Sequence, residues 1–122
     1  MNDDINEMAN EDQMQAAQDA ERQEEAQIVA ETIMDQLGGG RKLKMMIGMH
    51  TAFFGTSKQG PFLQFGFKMS KHSNKVRITL NGSDTYTVEF CKGVKCTALK
   101  EYIYGDMLIS LFEKTTGLYL SL

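Results

Sequence analysis

The clearest structural signal in the chain lies in residues 75–91, which read KVRITLNGSDTYTVEFC. Apolar and polar side chains alternate on both sides of Asn81-Gly82, and this period of two is typical of β-strands with one buried face. Asn-Gly is also a strong hairpin signal. Residues 75–80 and 85–91 are therefore predicted to be antiparallel strands joined by a tight hairpin. Their inward side chains are Val76, Ile78, Leu80, Tyr86, Val88 and Phe90.

The same period appears on both sides of this hairpin. Residues 62–69 place Leu63, Phe65, Phe67 and Met69 on one face, a further strand is indicated at about 51–56, and a weaker one follows at about 94–102. The connections between these segments are too short for parallel crossovers. We therefore expect an antiparallel meander of four or five strands.

Segments with helical periodicity lie before and after the predicted strands. Apolar residues repeat at helical spacing in about 26–37, Gly38 to Gly40 end that segment, and a short second helix is predicted from 41 to about 49. A last helix is predicted from about 106 to 116, where Gly117 stops it. The predicted fold class is α+β, with two N-terminal helices, an antiparallel β-meander and a C-terminal helix packed on one sheet face.

Charge is divided unevenly along the 122 residues. The first 36 contain eleven acidic side chains and one basic, while 37–122 contain twelve Lys or Arg and five acids, so the two parts sit near −10 and +7. We predict an acidic, flexible or partly helical arm at 1–25 and a single domain at 26–122. Three roles are open for the arm: it folds back on a basic face, it mimics nucleic acid toward another protein, or it stays a solvated tail.

The outward strand positions predict a basic, hydroxyl-rich sheet face, which suits contacts to nucleic-acid phosphates. These positions are Gln64, Lys68, Lys75, Arg77, Thr79, Thr85, Thr87 and Glu89. The competing interpretation is that Lys and Thr serve sheet propensity, solubility and edge protection. Because Phe65, Phe67, Tyr86 and Phe90 fall on the core side and leave Phe62 as the aromatic candidate for the outer face, a base-stacking platform is disfavoured. Duplex or backbone-tracking binding is expected instead. The candidate nucleic-acid-binding residues are Lys68, Lys75, Arg77, Arg41, Lys42, Lys44 and Lys71.

Gly38 to Gly40, followed by Arg41-Lys42, resembles a phosphate-binding loop because consecutive glycines can turn their N–H groups toward an anion. A true phosphate loop follows a strand and keeps a fixed spacing to Lys-Ser/Thr, whereas this run follows a helix. A helix stop with an interhelix hinge is the favoured interpretation.

The C-terminal residues 118–122, LYLSL, are too apolar to be left in water. They are expected to pack on the domain, to extend a sheet edge, or to pair with another chain, which would give a homo-oligomer. The candidate protein-interface residues are Leu118, Tyr119, Leu120 and Leu122.

Cys91 and Cys96, together with His50 and His72, make a nominal ligand set for zinc. Their spacing does not favour such a site, and ordinary thiols are preferred over a disulfide. We therefore predict no metal and no cofactor. The acids of the domain are scattered and no catalytic motif is present, so no catalytic residue and no enzymatic activity are predicted.

The chain contains no apolar run of about 20 residues and no signal-peptide pattern, so no membrane association is expected. Its two cysteines and nine methionines suit a reducing interior. Cytoplasm is the predicted compartment.

Four segments, QLGG at 36–39, ITLNGSDTY at 78–86, DML at 106–108 and TGLY at 116–119, resemble a family of small uncharacterised bacteriophage proteins. The likeness spans about 33–120, and it transfers no functional residue because these motifs are structural. It implies two settings: a nucleic-acid-binding accessory protein in phage replication or recombination, or a small inhibitor of a host or defence protein that acts through the acidic arm or the C-terminal tail.

Overall fold

The computed structural model describes residues 21–68 and 70–120, which form three α-helices and a five-stranded antiparallel sheet. The predicted α+β class is confirmed. Within the described residues, helix α1 occupies 21–36. The elements that follow are α2 (Gly40–Ile47), β1 (His50–Ser57), β2 (Gly60–Gly66), β3 (Lys75–Leu80), β4 (Tyr86–Lys92), β5 (Lys95–Ile103), a 3-10 turn (Gly105–Met107) and α3 (Leu108–Thr116).

The five strands pair in chain order, β1-β2-β3-β4-β5, and every pair is antiparallel. This is the meander expected from short connections. The predicted hairpin after β3 is also present: the Asp84 N–H donates to the Asn81 carbonyl over 3.2 Å and closes a turn at 81–84, and the connection between the strands takes in 81–85. Asn81 donates its N–H to the Thr85 carbonyl over 2.8 Å, and Asp84, at φ 61°, supplies the left-handed backbone there. Asp tolerates that conformation, so the loop closes without a positive φ at Gly82.

The helices and one face of the sheet enclose an apolar core. Helix α1 supplies Val29, Ala30 and Ile33, Leu37 follows its last residue, and α2 supplies Leu43 and Ile47, since residues three or four apart share one helix face. The strands add Leu63, Phe65, Val76, Ile78, Tyr86, Val88, Phe90 and Ile103.

Phe112 of α3 joins the last helix to the sheet side of this core. Its ring centroid lies 5.0 Å from that of Phe67, 6.0 Å from that of Phe90 and 6.3 Å from that of Phe65. Phe112 is 2% exposed. Aromatic burial of this size makes the ring a major contributor to the stability of the fold.

The irregular pairing of the edge strand β5 explains why apolar and polar residues alternate only weakly in its sequence. Its pairing with β4 is irregular between Tyr86 and Val88 and again between Phe90 and Cys91. Tyr102 has φ 58°, which is uncommon for a non-glycine residue. Each irregularity changes which side chains face the core, so a single period of two does not run through the strand.

The C-terminal tail packs on the domain. Leu120 is 1% exposed, and its N–H donates to Glu113 Oε2 over 2.9 Å. Leu118 packs against the core, whereas Tyr119 is 72% exposed. Leu120 is thus removed from the candidate protein interface, because the chain itself buries the side chain. Leu122 lies outside the described residues.

The predicted arm overlaps the described residues only at 21–25, and these are helical. Residues 1–20 lie outside them. Across 21–68 and 70–120, no helix combines the length and the apolar character needed to cross a membrane.

Candidate nucleic-acid interface

The sheet face opposite the helices contains the candidate interface. We call this surface the open face. The strand register aligns its residues in rows, and each row contains one residue from each strand. We define it by Phe53, Phe62, Gln64, Lys75, Arg77, Thr79, Thr87, Glu89 and Leu99.

Arg77 lies at the centre of the open face and is held in place by two neighbours. Its Nε donates to Gln64 Oε1 over 2.8 Å, and its Cζ lies 4.1 Å from the centroid of the Phe62 ring. The Gln64 amide and the Phe62 ring thus orient the guanidinium by a hydrogen bond and a cation–π contact. A guanidinium has five N–H donors, and one of them is used in the bond to Gln64. This arrangement positions a planar cation before any ligand arrives.

Two exposed apolar side chains lie in the same cross-strand row of the open face as Arg77. Phe53 is 44% exposed and packs edge-on against Phe62, with ring centroids 6.1 Å apart and planes at 87°. Leu99, on β5, is 57% exposed. The prediction left Phe62 as the aromatic candidate for the outer face; the structure places Phe62 there and adds Phe53.

The charge of the open face is mixed, so it is less basic than the sequence suggested. Lys75 and Arg77 supply its cations, while Glu89 pairs in register with Arg77. Next to them, Lys58 and Glu101 line a shallow depression of about 500 Å³. Its other lining residues include Arg77, Thr79, Thr87, Glu89 and Leu99.

The predicted basic surface is not one surface. Of the seven candidate cations, Lys75 and Arg77 lie on the open face. Exposed positions on α2, whose buried side belongs to the core, hold Arg41, Lys42 and Lys44.

The two remaining cations lie in the connection between β2 and β3. Strand β2 ends at Gly66, so Lys68 does not continue its alternation. The backbone N–H of Lys68 instead donates to the Ile47 carbonyl over 2.8 Å. Lys71 is exposed, and its carbonyl accepts a 2.7 Å hydrogen bond from Lys92 Nζ.

Thr85 is also displaced from the predicted face. It precedes β4, is 5% exposed, and its hydroxyl lies 3.0 Å from that of Ser83. The hairpin loop therefore uses this hydroxyl internally.

The glycine run after α1 behaves as a helix stop. Gly38 and Gly39 have φ of 112° and 98°, and their N–H groups donate to the carbonyls of Asp35 and Met34 over 3.0 and 2.9 Å. Two of the donors that a phosphate loop would direct at an anion are therefore used within the chain.

Cys91 and Cys96 are joined by a disulfide, which corrects the preference for ordinary thiols. They are register partners across the β4–β5 hairpin. Among the described residues, the group able to offer three clustered metal-ligand atoms is Glu89, Cys91 and Cys96. The nominal set with His50 and His72 is not assembled: His50 lies over Gly66 on the β1 side, and His72 is in the β2–β3 connection.

Residue patterns alone pointed to Lys75, Arg77 and Gln64 but missed Phe53, Lys58 and Leu99. The sequence Ala52-Phe53-Phe54 has no alternation that would select the outward ring. In the structure, an irregular pairing between His50 and Phe53 sets the register, and Phe53 then pairs with Gln64.

Comparisons with known protein families, with curated proteins and with solved structures find no match to this chain.

Proposed function

We propose that the protein is a noncatalytic accessory protein that binds single-stranded nucleic acid on the open face. The observation that supports this most directly is the oriented Arg77 guanidinium in the same cross-strand row as the exposed Phe53 ring. Bases stack on aromatic side chains and on guanidinium planes, and phosphates bind to Lys and Arg. A strand that follows the sheet would meet both kinds of contact.

Unpaired bases suit this face better than a duplex. In a duplex the faces of the bases are stacked on each other, so an exposed phenyl ring has no base to accept. The Lys75 ammonium group and the remaining N–H donors of Arg77 add polar contacts without requiring a particular base. The proposal is therefore a sequence-tolerant interaction.

The mixed charge of the open face limits the electrostatic part of the binding. Glu89 and Glu101 repel phosphates near Arg77, so we expect two or three phosphate contacts, from Lys75, Arg77 and Lys58. For single strands each contact adds about 0.7 to the steepness of the salt dependence. A slope of roughly −1.4 to −2 in a plot of log affinity against log salt follows from that number of contacts.

The proposed setting is a phage-infected cytoplasm, in line with the resemblance of the sequence to phage proteins. The alternative is inhibition of a host or defence protein. Burial of Leu120 makes the C-terminal tail a weaker candidate for that role, which leaves the acidic arm as its basis.

Fluorescence anisotropy with labelled single- and double-stranded DNA and RNA, at several salt concentrations, tests the proposal. Lys75→Ala with Arg77→Ala should weaken single-strand binding and flatten the salt slope by about 1.4. Phe53→Ala should weaken binding by about 1–3 kcal/mol and leave the slope unchanged, because stacking releases no counterions.

The matched control is Arg41→Ala with Lys42→Ala, which removes the same charge from the exposed side of α2. Equal losses from the two double variants would refute a specific open-face site, and so would absence of binding. If the arm competes for the face, a protein lacking residues 1–20 should bind more tightly. Capture of a host protein by the arm, without nucleic-acid binding, would favour the inhibitor alternative.

A further inference from the structure

Three side chains at the β4–β5 end of the open face bring metal-ligand atoms together. Glu89 and Cys91 are two residues apart on β4 and therefore project to the same side. Cys96 is the register partner of Cys91 on β5. The carboxylate oxygen and the two sulfur atoms lie within 4.8 Å of one another.

We propose that the reduced form of this cluster binds one soft divalent metal ion of the zinc type, through the two thiolates and the Glu89 carboxylate. Zinc binds Cys sulfur at about 2.3 Å and carboxylate oxygen at about 2.0–2.2 Å. Tetrahedral geometry then separates the two sulfurs by about 3.8 Å. Opening the disulfide lets the sulfurs reach this separation by side-chain rotation, while the strands stay in register.

The hairpin supports the cluster independently of the disulfide. Phe90 pairs with Ala98 and Lys92 pairs with Lys95 on either side of the cysteines. Phe90 is 0% exposed and belongs to the core, which anchors β4. The two cysteines therefore remain opposite each other when their bond is broken.

The surrounding charges favour a bound dication. Two thiolates and one carboxylate carry −3, and a divalent ion leaves the cluster at −1. Lys75 pairs in register with Cys91, and Arg77 pairs with Glu89, so two cations on β3 lie beside that remaining charge. Cys91 is 5% exposed and Cys96 is exposed, which gives the ion an approach from solvent on the β5 side. The fourth coordination position is left for water.

The proposed chemistry balances with a dithiol or disulfide partner. A dithiol reductant supplies two electrons, the Sγ–Sγ bond breaks, and the reductant becomes a disulfide. Binding of the metal then releases two thiol protons. In reverse, a disulfide oxidant takes two electrons from the thiolates, leaves as two thiolates, and frees the metal. The site thus binds metal when the cysteines are reduced and releases it when they form the disulfide. This proposal does not depend on nucleic-acid binding.

The test uses the full-length protein, reduced with a phosphine, freed of reductant under anaerobic conditions, and titrated with Cd²⁺ and Zn²⁺. We expect one equivalent of Cd²⁺ to produce a thiolate-to-metal charge-transfer band, and excess Zn²⁺ to compete for the same site and reduce that band. Oxidised protein should give no band. Zn²⁺ should also slow alkylation of the reduced cysteines.

Three variants make the test specific. Cys96→Ser should abolish tight binding, and because Cys96 is exposed the fold should survive, as checked by circular dichroism. Glu89→Gln should lower the affinity by at least about tenfold, since loss of even an outer-shell partner costs that much. Glu101→Gln is the control, because it changes a nearby exposed carboxylate that lies outside the cluster.

Failure of the reduced protein to bind Cd²⁺ would overturn the proposal. Binding that survives Cys96→Ser would do the same, as would equal affinities of the wild type and Glu89→Gln.

Discussion

Replacing Leu120 by Ala tests whether the C-terminal tail belongs to the core. The side chain is 1% exposed, and truncating a buried Leu in this way costs about 2–5 kcal/mol. Because the adjacent Tyr119 is 72% exposed, this segment can shift to close part of the cavity, so we expect about 2–3 kcal/mol. The backbone hydrogen bond from Leu120 to Glu113 is retained in the variant.

A loss of this size is large for a small domain, whose total stability is about 5–15 kcal/mol. It corresponds to a decrease in Tm of about 10–20 °C for a domain near 100 residues. The assay is urea unfolding followed by circular dichroism, with an unchanged slope against urea and a lower midpoint as the expected result.

Tyr119→Ala is the matched control, since it changes the neighbouring residue of the same tail at 72% exposure. It should alter the unfolding free energy by no more than about 0.5 kcal/mol. A loss below about 0.5 kcal/mol for Leu120→Ala would refute burial of the tail within its own chain. A loss that depends on protein concentration would instead place Leu120 between two chains.

Three further perturbations probe other parts of the fold. Phe112→Ala should cost about 3–5 kcal/mol in urea unfolding, because its ring fills the space between Phe65, Phe67 and Phe90; a loss under about 1 kcal/mol would contradict that packing. Gly60→Ala should sharply reduce the yield of folded protein, because φ is 144° and the new Cβ would collide with the Leu80 carbonyl oxygen, whereas Gly82→Ala, with open space around it, should behave as wild type. Burial raises the pKa of Tyr86 above its usual value, the Gln36 side chain partly offsets this rise, and the Asp84 charge adds to it. Since the folded state holds the Tyr86 proton more tightly, wild-type stability should fall as the pH rises above about 10, and Tyr86→Phe should remove that part of the decrease in unfolding experiments across this range; identical pH profiles would contradict it.

Residue patterns alone predicted the local elements well. The alternation in 75–80 and 86–90 and the helical spacing of Val29, Ile33 and Leu37 each depend on the period of one backbone conformation. The structure confirms these strands, these core side chains and the end of the last helix at Gly117. These features depend on residues that are close together in the chain.

The candidate site was predictable only in part, because it depends on how distant parts of the chain are placed relative to one another. Alternation put Lys75 and Arg77 on the outward face, but it could not tell that Arg41 to Lys44 belong to another layer of the molecule. The choice of Phe53 over Phe54 for the open face follows from an irregular pairing between His50 and Phe53. A shift of one residue in strand register reverses which side chains point outward, and no local pattern records it.

Periodicity, glycine stops and charge are local properties of the chain, so an α+β meander with an acidic N-terminal segment could be predicted from residue patterns. The burial of Leu120, the bond between Cys91 and Cys96 across a hairpin, and the orientation of Arg77 by Gln64 and Phe62 could not. These facts join residues that are separate in the chain, and packing and strand register alone bring them within contact distance.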